Sequence, residues 1–95
     1  MNIPRYFLRG RLDAMTVCVV EAELLEAVKA AERHLVLDAH ALDYISSAGV
    51  RAILMALKRM RAKEGGLSIE GAGGGVHEVL ELTGINALLT FPPPE

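Results

Sequence analysis

The sequence contains no tryptophan, and aromatic residues make up only 4% of its 95 positions. The hydrophobic core must therefore be aliphatic, and aromatic platforms on which unpaired bases could stack are scarce. The sequence also lacks a large excess of charge of either sign, since it has 10 basic and 12 acidic side chains and a formal net charge of −2. This balance provides too little positive charge to hold DNA or RNA by counterion release. The composition argues against a nucleic-acid partner and favours a protein partner.

Cysteine is equally scarce, and no long apolar run is present. The single cysteine, Cys18, cannot form an internal disulfide, which fits a reducing cytoplasm. Charges at Arg5, Arg9 and Arg11 interrupt the first residues before the apolar core of a signal peptide can form. The longest uncharged stretch, residues 82–94, contains a glycine and three prolines and falls short of the roughly 20 apolar residues of a membrane-spanning helix. We expect a cytoplasmic protein without membrane insertion.

Length and organisation predict one domain over residues 1–95, because chains of about 100 residues form a single core. No repeat or internal linker interrupts the chain. Only residues 92–95, Pro-Pro-Pro-Glu, read as a flexible tail.

Apolar spacing alternates between the periods of strands and helices. Strands are predicted at residues 6–8, 35–37, 67–69 and 88–91, and helices from Val17 to about Arg33, from Ser46-Ser47 to Gly65-Gly66, and from Val76 to Thr83. The run at 35–37 is apolar throughout, which indicates a central strand, and residues 39–45 read as a connector. Strands that alternate with helices predict an α/β fold with a mainly parallel sheet, helices mostly on one face, and room for an antiparallel strand at the N-terminal edge.

The segment from Asp38 to Leu54 carries the most chemical information. A strand ends at an acid, the chain turns, and Ser46 and Ser47 open a helix. One serine is enough for an N-cap, so the second is surplus, and a phosphate on it would meet the positive end of the helix. Such a phosphate adds roughly −1.5 to −2 charges, which would repel an acidic or apolar partner. The alternative is that both serines serve only the helix start.

This segment resembles the signature of a STAS domain, the fold of anti-sigma factor antagonists. The resemblance also includes Leu8 to Asp13, Leu67 to Gly71 and Val79 to Gly84, so it covers nearly the whole chain. Its most specific element is the sequence Ile-Ser-Ser-Ala-Gly-Val at 45–50. The resemblance implies a four- to five-stranded, mostly parallel mixed sheet with about three helices mainly on one face.

The resemblance also implies a function. Unphosphorylated, such a protein binds an anti-sigma factor that is itself a serine-protein kinase, and so frees a sigma factor for transcription. Phosphorylation of a serine at the start of the second helix releases the partner, and a PP2C-like phosphatase reverses the modification. The protein itself is expected to be no enzyme and to need no cofactor.

Site residues follow from the family pattern position by position. The acceptor stands two residues before the glycine, which places it at Ser47, two residues before Gly49. Ser46 occupies the position where many members have aspartate. Asp13 and Asp38 match acids that lie near the acceptor in that fold.

Three more residues are expected to contact the partner. Arg51 lies four residues after Ser47 and therefore shares its helix face. Met55 comes next along that face and offers an adaptable apolar contact. Ala48 lies beside the acceptor.

Two other functions stay open. Ser46 and Ala48 replace the aspartate and the hydroxyl residue of the best-known antagonists, which leaves room for a constitutive STAS subunit of a lipid ABC-type transport assembly or of a signalling assembly. The glycines between Gly71 and Gly75 could form a turn that binds a small ligand or nucleotide, although no Walker A or dinucleotide fingerprint accompanies them.

The remaining reactive side chains favour structural roles. His34, His40 and His77 lack metal-ligand spacing among themselves or with Cys18, so no metal site is expected and surface or capping roles suffice. A hydrolase that uses Ser47 with His40 and Asp43 lacks the Gly-x-Ser-x-Gly motif. Cys18 is expected to be buried, and a basic cluster is expected to be a solvated helix end: Lys58, Arg59, Arg61 and Lys63.

Overall fold

Strands and helices alternate along the chain in the computed structural model, which describes residues 3–89. The elements are β1 (Arg5–Leu12), α1 (Val17–Ala30), β2 (His34–Ile45), α2 (Ser47–Ala62), β3 (Gly66–Glu70), α3 (Gly74–Leu82) and a 3-10 helix (Ile85–Leu88). The predicted α/β class is confirmed. The expected tail at 92–95 lies outside the described residues.

The sheet has the order β1-β2-β3, and both strand pairs are parallel. The prediction of a central strand at 35–37 is confirmed, because β2 lies between the other two. Within residues 3–89 the sheet has three strands, one or two fewer than expected, and its β1 edge is parallel. The predicted last strand begins at Leu88, which instead ends the 3-10 helix, and its final positions fall outside the described residues.

Strand β2 is much longer than its apolar run, so the connector predicted at 39–45 is wrong. The strand continues for 12 residues because β1 pairs with it to the end, with Leu12 opposite Ile45. The register shifts twice, between Phe7 and Arg9 and between Gly10 and Arg11. Such bulges break the alternation of buried and exposed residues, which is why the sequence pattern did not indicate a strand.

The helices cover one face of the sheet. Leu35 and Leu37 belong to the same buried cluster as residues of all three helices, whereas Val36 between them does not. Alternate strand residues point to opposite faces, so the helices pack on the side of Leu35 and Leu37. Helix α2 contributes the largest share of the cluster: Ala52, Ile53, Ala56, Leu57 and Met60.

Two side chains make contacts that the sequence did not indicate. Lys63, which follows α2, is exposed as expected, but its Nζ donates to the carbonyl oxygen of Val28 (2.8 Å) and to that of Ala31. It thus satisfies the free carbonyls at the C-terminal end of α1. His34 is buried, and its Nε2 lies 3.0 Å from Ser68 Oγ.

Cys18 is exposed, so its predicted burial is wrong. Helix α1 turns Val17, Val20 and Leu24 toward the core, and this rotation leaves Cys18 in solvent. Across residues 3–89, no helix is both long enough and apolar enough to cross a bilayer.

Candidate functional site

The first turn of α2 lies at the end of the sheet where β1 and β2 both terminate, and this end is called the Ser47 edge below. Leu12 and Ile45 are the last register pair of the two strands. The backbone N–H of Ser46 donates to the carbonyl oxygen of Leu12 at 2.9 Å, which ties the helix start to β1. Because both strands are parallel, the turns that follow them meet at this edge, and Asp13 and Ser47 therefore lie at the same end of the molecule.

Gly49 allows this close approach. A Cβ atom at that position would lie 2.8 Å from Ile45 Cγ1, Leu12 Cγ and the Leu12 carbonyl oxygen. Two of these are core side chains and the third is backbone, so none can move aside easily. The glycine of the signature is thus explained by packing, since any side chain would push the helix start off the sheet.

The two serines occupy different environments. Ser46 is the N-cap residue with extended backbone, and its Oγ is buried without a hydrogen-bond partner. Ser47 is the first helical residue, and it is exposed. Of the two hydroxyls, only that of Ser47 is accessible to another protein.

The electrostatics of this helix start favour an anion. Helix α2 has no acidic residue in its first turn and carries Arg59 and Arg61 in its last turn. The positive end of the helix dipole at Ser47 is therefore not neutralised by the helix itself.

Asp13 builds the turn that leads from β1 into α1. Its Oδ1 accepts hydrogen bonds from the backbone N–H groups of Met15 (3.0 Å) and Thr16 (3.3 Å), and its Oδ2 accepts one from Arg11 Nε (3.2 Å). Desolvation alone would raise the pKa of this carboxyl, but the bonds from Arg11 and from the two backbone groups outweigh it and lower the pKa. Asp13 is thus ionised and held in place at the edge that carries Ser47.

Asp38 does not reach this edge. The strand does not end at Asp38, as the sequence suggested, but continues to Ile45, about 20 Å further at the usual rise of an extended chain. The Asp38 carboxylate accepts bonds from the backbone N–H (3.0 Å) and Nδ1 (2.8 Å) of His40, and one from Arg5 (3.2 Å). The pKa of the Asp38 carboxyl is lowered, chiefly by the two bonds from His40. The structure thus separates Asp38 from Ser47.

The three expected partner contacts differ in exposure. Arg51 is exposed on the turn that follows Ser47, whereas Ala48 and Met55 are half-buried. All three belong to α2, so they could contribute to one surface around its first two turns.

Sequence reasoning missed a stacked pair at the same edge. The guanidinium of Arg11 lies 4.1 Å from the ring centroid of Tyr44, and Tyr44 is 43% exposed. The two residues are register partners at the ends of β1 and β2. The only signal would have been the strand character of residues 39–45, which the two bulges hid.

Gly71, the first residue of the glycine-rich turn, has a structural explanation of its own. Gly71 adopts a φ of 78°, and a Cβ there would collide with the ring of His40. The hydrolase alternative would require His40 to bond Asp43, but its Nδ1 bonds Asp38 instead. Within residues 3–89, no group of three or more His, Cys, Asp or Glu side chains is arranged to hold a metal ion.

The fold and this edge together define an α/β domain that presents an accessible serine on a helix anchored by a glycine. A model of the family described as "Mlab, STAS domain" matches residues 6–90. The chain belongs to the STAS domain family.

One known protein resembles the chain in sequence, and two solved structures resemble it in fold. The Bordetella bronchiseptica protein named "Putative anti-sigma factor antagonist BtrV" is 40% identical over 85 residues, which cover 90% of this chain and 72% of that protein. The anti-sigma factor antagonist SpoIIAA in its unphosphorylated form superposes with a TM-score of 0.74 at 20% identity, over 95% of this chain and 81% of SpoIIAA. A sulfate transporter family protein from Wolinella succinogenes gives a TM-score of 0.73 at 18% identity, over 90% and 70% of the two chains. The two structural likenesses show the fold.

Proposed function

We propose that this chain is a cytoplasmic anti-sigma factor antagonist that acts by reversible binding, and that phosphorylation of Ser47 switches the binding off. The observation that carries the proposal is the contrast between the two serines: the Ser47 hydroxyl is exposed at the start of α2, while Ser46 Oγ is buried. The identity with the Bordetella protein, whose name includes anti-sigma factor antagonist, supports the choice of function.

The physical effect of a phosphate at Ser47 would fall on the partner and not on the fold. The modification adds about −1.5 to −2 charges and three strong acceptors. At the N-terminal end of a helix these are well tolerated, because free backbone N–H groups and the dipole stabilise an anion. A partner surface docked over this edge would instead have to bury a new dianion, and the desolvation of the phosphate, with repulsion of any acidic group that faces it, would weaken the complex. Arg51, one turn further along, could pair with the phosphate or with an acid of the partner.

The proposal assigns catalysis to partners. The anti-sigma factor would also be the serine-protein kinase that transfers the phosphoryl group, and a PP2C-like phosphatase would remove it. Asp13, Ser46 and Gly49 would support the acceptor by shaping the edge around it. Asp38 is not part of the proposed site, because β2 continues seven residues beyond it before α2 begins.

The test combines mass and affinity. We expect incubation with the cognate anti-sigma factor and ATP to add one phosphate, seen by intact mass, and the modified protein to bind that factor at least about tenfold more weakly. Ser47→Ala should remain unmodified, and the matched control Ser46→Ala should still accept one phosphate. Tight binding by the fully phosphorylated protein would contradict the proposed switch.

A second candidate is a constitutive subunit of a lipid ABC-type transport assembly or of a signalling assembly. It is favoured by Ser46 and Ala48, which depart from the antagonist pattern. In that case Ser47→Ala and Ser47→Asp would assemble equally well with a transporter ATPase or its signalling counterpart, and the chain would co-purify with that complex.

A further inference from the structure

The start of α1 contains more apolar side chains than the core takes up. Residues 15–20, Met-Thr-Val-Cys-Val-Val, carry no charge. Val17 and Val20 pack against the core. Their neighbours point the other way: Met15 is 91% exposed and Val19 is 64% exposed. Neighbouring apolar side chains that are exposed together mark a candidate interaction site.

The exposed side chains form one patch, called here the α1 patch, which consists of Met15, Cys18, Val19 and Ala22. Cys18 and Ala22 are four residues apart and Val19 and Ala22 three apart, so they share one face of α1. Met15 lies in the turn that leads into the helix. The patch therefore extends over the first turns of α1 and the turn before it.

The α1 patch is bordered by negative charge. Glu21, Glu23 and Glu26 are all exposed on α1, and its only basic residue is Lys29 in the last turn. One of the three acids, Glu23, accepts a hydrogen bond from the Tyr6 hydroxyl at 2.5 Å. An apolar strip with acidic borders is complementary to an apolar segment flanked by lysine or arginine.

The α1 patch begins at the same end of the sheet as the helix start that carries Ser47. The Asp13 carbonyl oxygen accepts from Val17 N at 2.9 Å, which starts α1 directly after β1. The Leu12 carbonyl oxygen accepts from Ser46 N at 2.9 Å, which starts α2 beside it. The turn that holds Met15 is thus only a few residues along the backbone from the atom that anchors the helix of Ser47.

We infer that the α1 patch is the apolar half of the docking surface for the partner of Ser47, and that this partner contributes an apolar segment bordered by basic residues. The inference rests on the proposed function, because it assigns the patch to the same anti-sigma factor. A second copy of this chain is disfavoured as the occupant, since packing α1 on α1 would bring two rows of glutamates together.

Cys18 makes the inference directly testable, because it is the only cysteine of the chain and lies within the patch. The experiment is alkylation by iodoacetamide, with Cys18 modification quantified by peptide mass spectrometry, in the free protein and after addition of the anti-sigma factor. We expect the complex to slow the alkylation of Cys18 at least about tenfold, since buried thiols are inert to such reagents. An unchanged rate in a saturated complex would overturn the inference.

Substitutions give an independent readout. Val19→Ser and Met15→Ser should each weaken binding of the anti-sigma factor about tenfold or more, the effect of removing a buried apolar contact. The matched control is Leu82→Ser, because Leu82 is 80% exposed but lies at the end of α3. Equal affinities of the Val19, Met15 and Leu82 variants would contradict the assignment.

The outcomes separate this inference from the proposed function. If Ser47→Asp still binds and Cys18 is protected in that complex, the switch fails while the docking surface stands. If Ser47→Asp abolishes binding but Cys18 stays reactive in the wild-type complex, the switch stands and the inference is wrong. Protection that depends only on the concentration of this protein, with no partner added, would assign the patch to a second copy and overturn the inference as well.

Discussion

Helices α1 and α2 begin at the same edge of the sheet, but their first turns are held in opposite ways. The start of α2 is fixed by packing: Gly49 lies against Leu12 and Ile45, and Ser46 Oγ bonds nothing. The start of α1 is fixed by polar side chains, because Thr16 Oγ1 donates to the Arg11 carbonyl oxygen (2.8 Å) and accepts from Asp13 N (3.0 Å). Close packing fixes the helix start that carries Ser47, whereas the hydrogen-bonded start of α1 leaves the apolar side chains of Met15 and Val19 exposed.

The largest loss of stability is expected from a substitution at Gly49, where α2 packs on β1 and β2. Gly49→Ala places a Cβ against core atoms and should lower the free energy of unfolding by about 3 kcal/mol, the upper range for overpacking. Urea unfolding measures it. Gly75→Ala is the control, because no atom lies within 4 Å of a Cβ there, and this change should be neutral or slightly stabilising. Equal stabilities of the two variants would contradict the close approach at Gly49.

The second largest loss of stability is expected at the C-terminal ends of α1 and α2, where Lys63 caps α1. Lys63→Met keeps the aliphatic stem but removes the charged donor from the last carbonyls of α1, and it should lower the free energy of unfolding by about 2 kcal/mol. Lys58→Met, an exposed substitution on α2, should change it by less than about 0.5 kcal/mol. The same urea titration compares them, and a Lys63 variant as stable as the Lys58 variant would rule out the cap.

Removing the hydroxyl of Thr16 and that of Ser46 compares how much each contributes to stability at the starts of α1 and α2. Thr16→Val removes two hydrogen bonds without changing the shape of the side chain, and should destabilise the protein by about 1 to 2 kcal/mol. Ser46→Ala removes an oxygen without a hydrogen-bond partner, so we expect a change of less than about 0.5 kcal/mol, below the usual loss of an N-cap. Thermal unfolding of both variants provides the measurement. A costly Ser46 substitution would show that its hydroxyl has a partner in solution.

The smallest effect concerns pH. Burial of the His34 ring lowers its pKa from the ordinary value near 6.5, despite an opposing contribution from Glu70. Below pH 6.5 the unfolded chain therefore binds a proton that the folded chain resists, so this contribution to stability is complete above pH 6.5 and is lost as the pH falls toward the folded pKa. Stability should decline between pH 7 and pH 5 in the wild type and less in His34→Gln. An equal decline in the wild type and in the His34→Gln variant would contradict the contribution of His34.

The sequence predicted helix α2 better than the sheet beside it. The helix that carries Ser47 was found because its apolar stripe and its glycine stop are local signals, and the signature residues 45–50 resemble a known family. The length of β2 was missed, and with it the position of Asp38, because two bulges disturb the alternation on which strand prediction depends. Cys18 was misplaced for a related reason, since a helix start with apolar residues on both sides does not reveal which side faces the core. Contacts such as Lys63 with the end of α1 join residues far apart in the chain and leave no local pattern.

The unequal lengths of the strands shape the end of the sheet that carries Ser47. Strand β3 stops opposite Asp38, whereas β1 accompanies β2 up to Ile45. Within residues 3–89, the sheet thus tapers from three strands to two before it arrives at Ser47. The proposed acceptor Ser47 therefore has two strands beside it and not three, which leaves more room around it for the concave surface of a catalytic partner.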